Sequence, residues 1–275
     1  MATAPKPTTA KKESSGSSIF ASLTIVICIV IGILIWKFVM GHPSNFDGGD
    51  PELGHPLPGN FFGMIYKGGV IVPMLFGMFL MVIVFSIERF IVISKAAGSG
   101  SVEHFVRKIQ SLLSAGSIDT AIAECDKQKG SVANVIKSGL RKYKEVETDQ
   151  TMDIEQASLA IQKDIEEATS LEMPMLEQNL TIIATLVSTG TLVGLLGTVT
   201  GMIKSFAALA TAGAPDQAAL ANGISEALIN TATGISVSTV AIIMYNIFTS
   251  KIDKLTYSID EAGFSIVQTY ASTHK

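Results

Sequence analysis

One carboxylate lies within a long apolar stretch of this sequence. Glu226 stands near the start of a run that continues to Asn246, and threonine, asparagine and glycine recur around it. A carboxylate inside a membrane segment costs roughly 2.5–3.5 kcal/mol by insertion scales, so such a residue is rare and usually functional. We therefore take Glu226 as the first candidate for proton transfer.

Asn230 and Thr233 follow Glu226 at helical spacing, and Thr231 lies off that line but within the same polar sector. Thr198 lies on the preceding apolar segment. The candidate proton-pathway residues are Glu226, Thr198, Thr231, Asn230 and Thr233. Threonine is inexpensive to bury, because its hydroxyl can bond the carbonyl oxygen four residues earlier. Two interpretations stay open: the polar face conducts protons, or its groups only hold helices together, with Glu226 bonded to Asn230 or to a neighbouring helix.

Glycines repeat along the preceding segment with the small-xxx-small spacing that lets two helix backbones approach closely. The candidate packing residues are Gly190, Gly194, Gly197 and Gly201, together with Gly234 on the segment of Glu226. A phosphate-binding loop needs glycine directly before its lysine, but Ile203 precedes Lys204, so a nucleotide site is not predicted. Lys204 is expected to extend towards the membrane interface.

The composition is that of a membrane protein. Apolar residues make up 48% of the chain and charged residues 16%, against about 25% charged in soluble domains. The net charge of −4 and the lack of a basic stripe give no sign of nucleic-acid binding. Two distant cysteines and four scattered histidines predict neither a disulfide framework nor a metal site, and no cofactor is indicated.

The hydropathy pattern predicts an all-α membrane protein with four spanning helices, each long enough for a core about 30 Å thick. The predicted spans are residues 19–40, 60–95, 179–212 and 219–250. The other predicted segments are a disordered leader 1–18, a loop 41–59, a helical lobe 96–178, a turn 213–218 and a tail 251–275. A cleaved signal peptide is the alternative for 19–40, but the run is longer than a typical apolar signal region and a retained helix is favoured.

Amphipathic patterns divide the lobe into short helices. Ser101 is a predicted N-cap, and Gly116-Ser117 and Gly130-Ser131 restart the pattern. From Asp153 the helical pattern continues into the third span with Pro174 as the only strong breaker, which predicts one long helix that Pro174 kinks. The adjacent pair Glu88 and Arg89 is expected to mark the membrane exit of the second span or to form a simple interfacial salt bridge.

The distribution of basic residues predicts the orientation. The leader, the lobe and the tail carry lysine or arginine, whereas the loop 41–59 and the turn 213–218 carry none. By the positive-inside rule the two termini and the lobe lie in the cytoplasm and the two short connections lie outside.

The motifs around these residues resemble the MotA/TolQ/ExbB proton-channel family. Residues 194–203 read GLLGTVTGMI and resemble the second core span of that family, and residues 223–234 read GISEALINTATG and resemble its third. Tyr245-Asn246 matches the inner end of the third span, and Glu88-Arg89 matches the end of the first. The likeness covers about residues 60 to 252, and Glu226 favours the ExbB and TolQ branches over the flagellar MotA branch.

This resemblance implies a homopentamer in the bacterial inner membrane, surrounded by membrane lipid. Its last two spans would line a pore that holds helices of an ExbD- or TolR-like single-span partner. The partner would contribute an aspartate, and Thr198, Thr231 and Glu226 would face that aspartate. Protonation of that aspartate would drive work on a TonB- or TolA-like protein. The sequence departs from the family in its extra first span, in Thr191 and Val240 at two proline positions, and in Asn230.

Other function classes receive less support. A structural scaffold, whose spans only assemble a complex, and a flagellar-stator subunit remain alternatives. A solute transporter is disfavoured because the first two spans do not resemble the last two, as the inverted repeats of many transporters would. An enzyme is not predicted, because the lobe shows no pairing of a nucleophile with a base.

Overall fold

A computed structural model describes residues 15–52, 54–148, 152–211 and 217–274. Regular structure in these residues is helical apart from one isolated bridge between Phe46 and Pro56, which confirms the all-α fold class. Four helical regions are long and apolar enough to cross a membrane. They are Ile19–Met40, Gly69–Ser114, Ile154–Ala207 and Ala219–Thr273.

The described residues contain nine α-helices. They are α1 Ser15–Leu34, α2 Phe61–Tyr66, α3 Val72–Ala97, α4 Val102–Ser114, α5 Ile118–Gln128, α6 Gly130–Thr148, α7 Ile154–Glu177, α8 Leu180–Thr211 and α9 Gln217–Thr273. A short π-helix, Ile35–Met40, follows α1 directly. The predicted leader falls mostly on residues 1–14, and the turn mostly on 212–216, which lie outside the described residues.

The chain divides into two compact units. The first unit takes the described residues of Met1–Val84 and Ala184–Ile242, and the second takes those of Phe85–Ile183 and Ile243–Lys275. The helices α3, α8 and α9 therefore each contribute to both units. The charged candidate Glu226 belongs to the first unit, and the pair Glu88 and Arg89 belongs to the second.

In the first unit the connection after α1 is folded against α2. The Asn45 amide donates to the carbonyl oxygens of Val39 and Met40, at 2.8 and 2.9 Å, and so closes the end of the π-helix. The rings of Trp36 and Tyr66 stack with their centroids 4.7 Å apart. These contacts give a fixed position to a segment whose composition predicted only a loop.

The predicted second span is not one continuous helix. It is interrupted between α2 and α3, where Gly69 has a φ of +76° and begins a short 3₁₀ turn, Gly69–Ile71. Only glycine adopts this left-handed conformation without strain, so the break is encoded by Gly68-Gly69 rather than by Pro73, which lies in the first turn of α3. The apolar pattern alone concealed this interruption.

The second unit is built around the amphipathic helices α4 to α7. The Ser101 hydroxyl accepts the backbone N–H of His104, as the sequence predicts for an N-cap, and Asp153 caps α7 in the same way. The buried apolar side chains form its core, among them Phe105, Ile109, Leu113, Val135, Ile136, Leu140 and Ile161. Burial in this core raises the pKa of the Cys125 thiol to about 12, so Cys125 stays protonated and unreactive near neutral pH.

The long helix predicted from Asp153 into the third span is also broken. Pro174 lies within α7, and the break comes later, at Gln178 and Asn179, where Asn179 has a φ of +62°. Asparagine is one of the few residues that adopt this conformation readily, and it commonly ends helices in this way. The prediction of a continuous helix was therefore wrong because Asn179, and not Pro174, is the breaker.

A glycine at the start of α6 fits against the end of α3. Gly130 has a φ of +82°, and a Cβ atom placed on it would lie 2.5 Å from the carbonyl oxygen of Ala96. We expect Gly130→Ala to destabilise the protein by more than about 2 kcal/mol, because left-handed strain adds to a clash with backbone that cannot move cheaply. Thermal unfolding of the purified protein, followed by circular dichroism, measures this.

Gly100→Ala is the matched control. Gly100 has a φ of +87°, but a Cβ atom there would meet nothing within 4 Å. This variant carries the backbone strain of about 1–2 kcal/mol without the clash. Equal losses of stability in the two variants would show that the contact of Gly130 with α3 contributes nothing.

Candidate functional site

Helices α8 and α9 pack through their small residues within the first unit. A Cβ atom on Gly194 would lie 3.0 Å from the Asn230 carbonyl oxygen and 3.0 Å from the Gly234 Cα atom. A Cβ atom on Gly201 would lie 2.8 Å from the carbonyl oxygen of Gly223. The backbones therefore approach more closely than alanine would permit, as small-xxx-small spacing favours.

The remaining packing candidates lie on the same face. Gly190 faces Gly234 and Ser238, and Gly197 faces the side chain of Asn230. Thr191 donates a hydrogen bond of 2.8 Å to the Ser238 hydroxyl on α9. The contact between the two helices is thus formed by glycine and by short hydroxyl side chains.

Glu226 is paired with a lysine on α8. Its Oε1 atom accepts a hydrogen bond of 2.6 Å from Lys204 Nζ. The Glu226 side chain is 15% exposed and that of Lys204 is 57% exposed. The sequence predicts only that Lys204 extends towards the membrane interface; the structure adds a bond from its ammonium to the carboxylate on the adjacent helix.

The break between α2 and α3 lies against the Glu226 carboxylate. A Cβ atom on Gly69 would be 2.5 Å from Glu226 Oε1, so a larger residue at this position would displace the carboxylate. The positive φ of Gly69 and this contact both require glycine. Three segments therefore meet at Glu226: its own helix α9, α8 through Lys204, and the 3₁₀ turn before α3 through Gly69.

Asn230, one helical turn after Glu226 on α9, is hydrogen-bonded to the same break. Its side chain is fully buried, and Nδ2 donates a hydrogen bond of 2.9 Å to the carbonyl oxygen of Gly68. Its Oδ1 atom is buried without a hydrogen-bond partner among the described residues. The sequence suggested a hydrogen bond between the Asn230 side chain and Glu226; in the structure Asn230 donates to Gly68 instead.

The hydroxyls of the three candidate threonines are not bonded to Glu226 in the described contacts. Thr198 donates to the carbonyl oxygen of Leu195 at 2.6 Å, and Thr233 donates to that of Ile229 at 2.8 Å. The Thr231 hydroxyl is shielded from solvent and has no partner in the described part of the chain. The structure brings Glu226 to Lys204 and Gly69 and leaves these hydroxyls on their own helices.

A polar cavity of about 440 Å³ has Glu226 and Lys204 in its wall. Its lining comes from the connection after α1, from α2, from α8 and from the first turns of α9, and its polar residues are Glu52, His55, Lys67, Lys204, Asn222, Ser225 and Glu226. We call it the Glu226 cavity. Lys67 Nζ donates to the backbone carbonyl oxygen of Glu52 at 2.9 Å. The cavity is polar and large enough to hold water beside the Glu226 carboxylate.

A second cavity, which shares Met64 and Ser225 with the first, has a different character. It has a volume of about 730 Å³ and is lined mainly by apolar side chains from α2, α3 and α9, including Phe61, Phe76 and Leu228. Thr233 and Ser236 supply the hydroxyls in its wall. This apolar cavity offers no second ionisable group near Glu226.

Comparison with known protein families identifies the family of this chain. Residues 127–261 match the model of the MotA/TolQ/ExbB proton channel family. The chain belongs to this family. It is therefore a multi-pass membrane protein of an inner-membrane family of proton channels, and the family does not consist of enzymes.

Several members of the MotA/TolQ/ExbB family are similar in sequence. The Tol-Pal system protein TolQ of Pseudomonas aeruginosa is 34% identical over 124 residues, 45% of this chain and 54% of the relative. The biopolymer transport protein ExbB of Pseudomonas putida is 35% identical over 86 residues, 31% of this chain and 26% of the relative. The chain thus spans about half or less of the length of these relatives.

A putative ExbB homologue of Methanothermobacter thermautotrophicus is 25% identical over a longer stretch of 198 residues, 70% of this chain and 66% of the relative. The family match includes α8 and most of α9, and so contains Lys204, Glu226 and Asn230. Gly68 and Gly69, which Asn230 and Glu226 contact, lie before the matched residues. Sequence reasoning missed both glycines because the apolar pattern continues on both sides of them, although two adjacent glycines are a turn signal.

A second charged cluster lies in the second unit. Arg89 is 1% exposed, and its guanidinium donates to both carboxylate oxygens of Glu88, at 2.6 and 2.5 Å. It also donates to the carbonyl oxygens of Met175 and Leu176 in the last turn of α7, at 3.2 and 3.1 Å. The pair is therefore more than an interfacial salt bridge, because it binds the end of α7 directly before the break at Asn179.

Proposed function

We propose that this chain is the channel subunit of a TolQ/ExbB-like motor that uses the proton motive force. The observation that carries this proposal is the Glu226 carboxylate, which lies on an apolar helix, is 15% exposed and borders a polar cavity. A carboxylate kept in such surroundings, in a family of proton channels, is suited to take part in proton passage.

The orientation proposed for the chain is the one the basic residues favour. The termini and the lobe lie in the cytoplasm, and the connection after α1 lies outside. The Glu226 cavity is lined partly by that connection, through Glu52 and His55. In this orientation water from the outer side reaches Glu226 first.

Copies of the chain are proposed to form a homopentamer. Large apolar side chains are exposed along one side of α8 and of α9 in the single chain, among them Leu192, Leu195, Val199, Ile203, Leu228 and Ile235. Lipid, neighbouring copies and the helices of an ExbD- or TolR-like partner would cover these surfaces. Within the first unit the close packing of α8 against α9 through glycine would let the two helices form one wall of such a pore.

The proposed mechanism couples charge movement to motion of the partner. A proton that enters from outside neutralises an aspartate on the partner helix, which is then free to turn beside the polar face of α8 and α9. The membrane potential alone supplies about 2.3 kcal/mol per elementary charge per 100 mV. The motion would pass to a TonB- or TolA-like protein that acts on the outer membrane.

The experiment that tests this proposal is purification of the complex from native membranes through a tag on the chain. We expect native mass spectrometry to find a pentamer and a copurifying single-span protein with an intramembrane aspartate. After reconstitution in lipid vesicles, an imposed potential should drive proton uptake, which an entrapped pH-sensitive dye reports. A complex that assembles but passes no protons would favour the scaffold alternative.

A further inference from the structure

Lys204 places a positive charge directly on the carboxylate of the proposed proton pathway. Its Nζ atom lies 2.6 Å from Glu226 Oε1, and both side chains line the Glu226 cavity. The two helices α8 and α9 hold the pair, since their glycine contacts fix the distance between the two backbones. The close approach of the two backbones therefore brings Lys204 within reach of the Glu226 carboxylate.

This charge changes what the cavity can bind. Hard cations in proteins are held by several oxygen ligands at once, usually including carboxylate. The wall would offer such a set from Glu226, Asn222 and Ser225, but the Lys204 ammonium already occupies one carboxylate oxygen. An alkali cation would have to displace it or share the carboxylate with it, and like charges repel. A proton moves along water and needs no such ligand set.

No other described cation in the cavity wall is bonded to the Glu226 carboxylate. Lys67 bonds a backbone carbonyl oxygen of Glu52 and touches no carboxylate in the described contacts. Glu52 and His55 are exposed on the connection after α1. Among the described residues lining the cavity, Lys204 is thus the cation bonded to the Glu226 carboxylate.

We propose that Lys204 is the counter-ion of Glu226 and that it makes the Glu226 cavity selective for protons by excluding sodium and potassium ions. This inference rests on the proposed function as a proton channel. Lys204 is a specificity-determining residue in this view: it does not carry the proton, but it decides which cation can occupy the carboxylate.

The test compares sodium and proton uptake by vesicles that contain the complex purified from native membranes. Wild-type vesicles are expected to take up protons and to take up radioactive sodium only at the background rate. Lys204→Met should raise sodium uptake about tenfold or more, because it leaves the Glu226 carboxylate without its cation, and charge of one sign in a cleft raises the local concentration of counter-ions by 10–10³-fold. Lys204→Arg keeps the positive charge and should keep sodium out.

Lys67→Met is the matched control, since Lys67 lines the same cavity but does not bond a carboxylate. It should leave sodium excluded. Lys204→Glu should admit sodium, and its combination with Glu226→Lys, which restores a pair of opposite charges, should exclude it again. Native mass spectrometry of each variant shows whether it assembles. If Lys204→Met does not assemble, the double variant Lys204→Glu with Glu226→Lys still provides a test.

Three results would overturn the inference. Sodium excluded from assembled Lys204→Met and Lys204→Glu complexes would show that the ammonium does not set selectivity. Equal sodium leakage in Lys67→Met would assign the effect to the general charge of the cavity. If the wild-type complex passed no protons at all, the proposed function would fail and the inference with it, whereas the first two results leave proton conduction standing.

Discussion

Replacing Glu226 with glutamine is expected to abolish proton flux while the complex still assembles. Glutamine has the shape of glutamate and keeps an oxygen that accepts from Lys204, so the packing against Gly69 is preserved. The change removes the ionisable group from its apolar helix. We expect proton uptake by vesicles to fall by about 10²-fold or more, the scale on which a positioned proton-transfer group contributes.

Two further variants separate the loss of proton transfer from the loss of the ion pair. Glu226→Gln leaves the Lys204 charge without its partner, but the double variant Glu226→Gln with Lys204→Met has no charge left uncompensated. Both should assemble and neither should conduct. Glu52→Gln removes an exposed carboxylate from the wall of the same cavity and should conduct nearly as well as the wild type.

The outcome discriminates between the two leading interpretations of this face. Proton flux near the wild-type rate in assembled Glu226→Gln complexes would remove Glu226 from the pathway and leave an oligomeric scaffold, or a route through other groups. Loss of assembly in the double variant as well would assign Glu226 and Lys204 a structural role. The proton-channel proposal requires assembly without flux.

Much of the fold could be predicted from local patterns in the sequence. The four apolar regions, the caps at Ser101 and Asp153, and the glycine restarts of the lobe depend on neighbouring residues or on residues one helical turn apart. Glu226 was identified for a similar reason, because a carboxylate contrasts with the apolar residues around it. A short window of the sequence is enough to detect each of these features.

The contacts that define the site depend on residues far apart in the chain, and these were not predictable. Lys204 and Glu226 are 22 residues apart, and Asn230 bonds Gly68 across 162 residues. Which side chains meet is decided by the rotation of each helix about its axis, and spacing along one helix does not fix that rotation relative to its neighbour. The breaks at Gly69 and Asn179 were missed because apolar and helical patterns continue on both sides of them.

Arg89→Met is expected to destabilise the protein by about 3–5 kcal/mol, the cost of breaking a buried ion pair from one side. The substitution removes the guanidinium from Glu88 and from two carbonyl oxygens at the end of α7. Lysine cannot replace arginine here, because a single ammonium lacks the planar array of donors that reaches the carboxylate and both carbonyls. Thermal unfolding in detergent, and the rate of proteolysis near Gln178 and Asn179, should reveal the loss.

The controls for Arg89 follow from the same contacts. Arg107→Met changes an exposed arginine on α4 and should alter stability by no more than about 0.5 kcal/mol. The double variant Glu88→Gln with Arg89→Met removes the charge that Arg89 leaves behind and should recover part of the lost stability, since an uncompensated buried charge causes much of the cost. If Arg89→Met were as stable as Arg107→Met, the bonds of Arg89 to the end of α7 would contribute nothing measurable to stability.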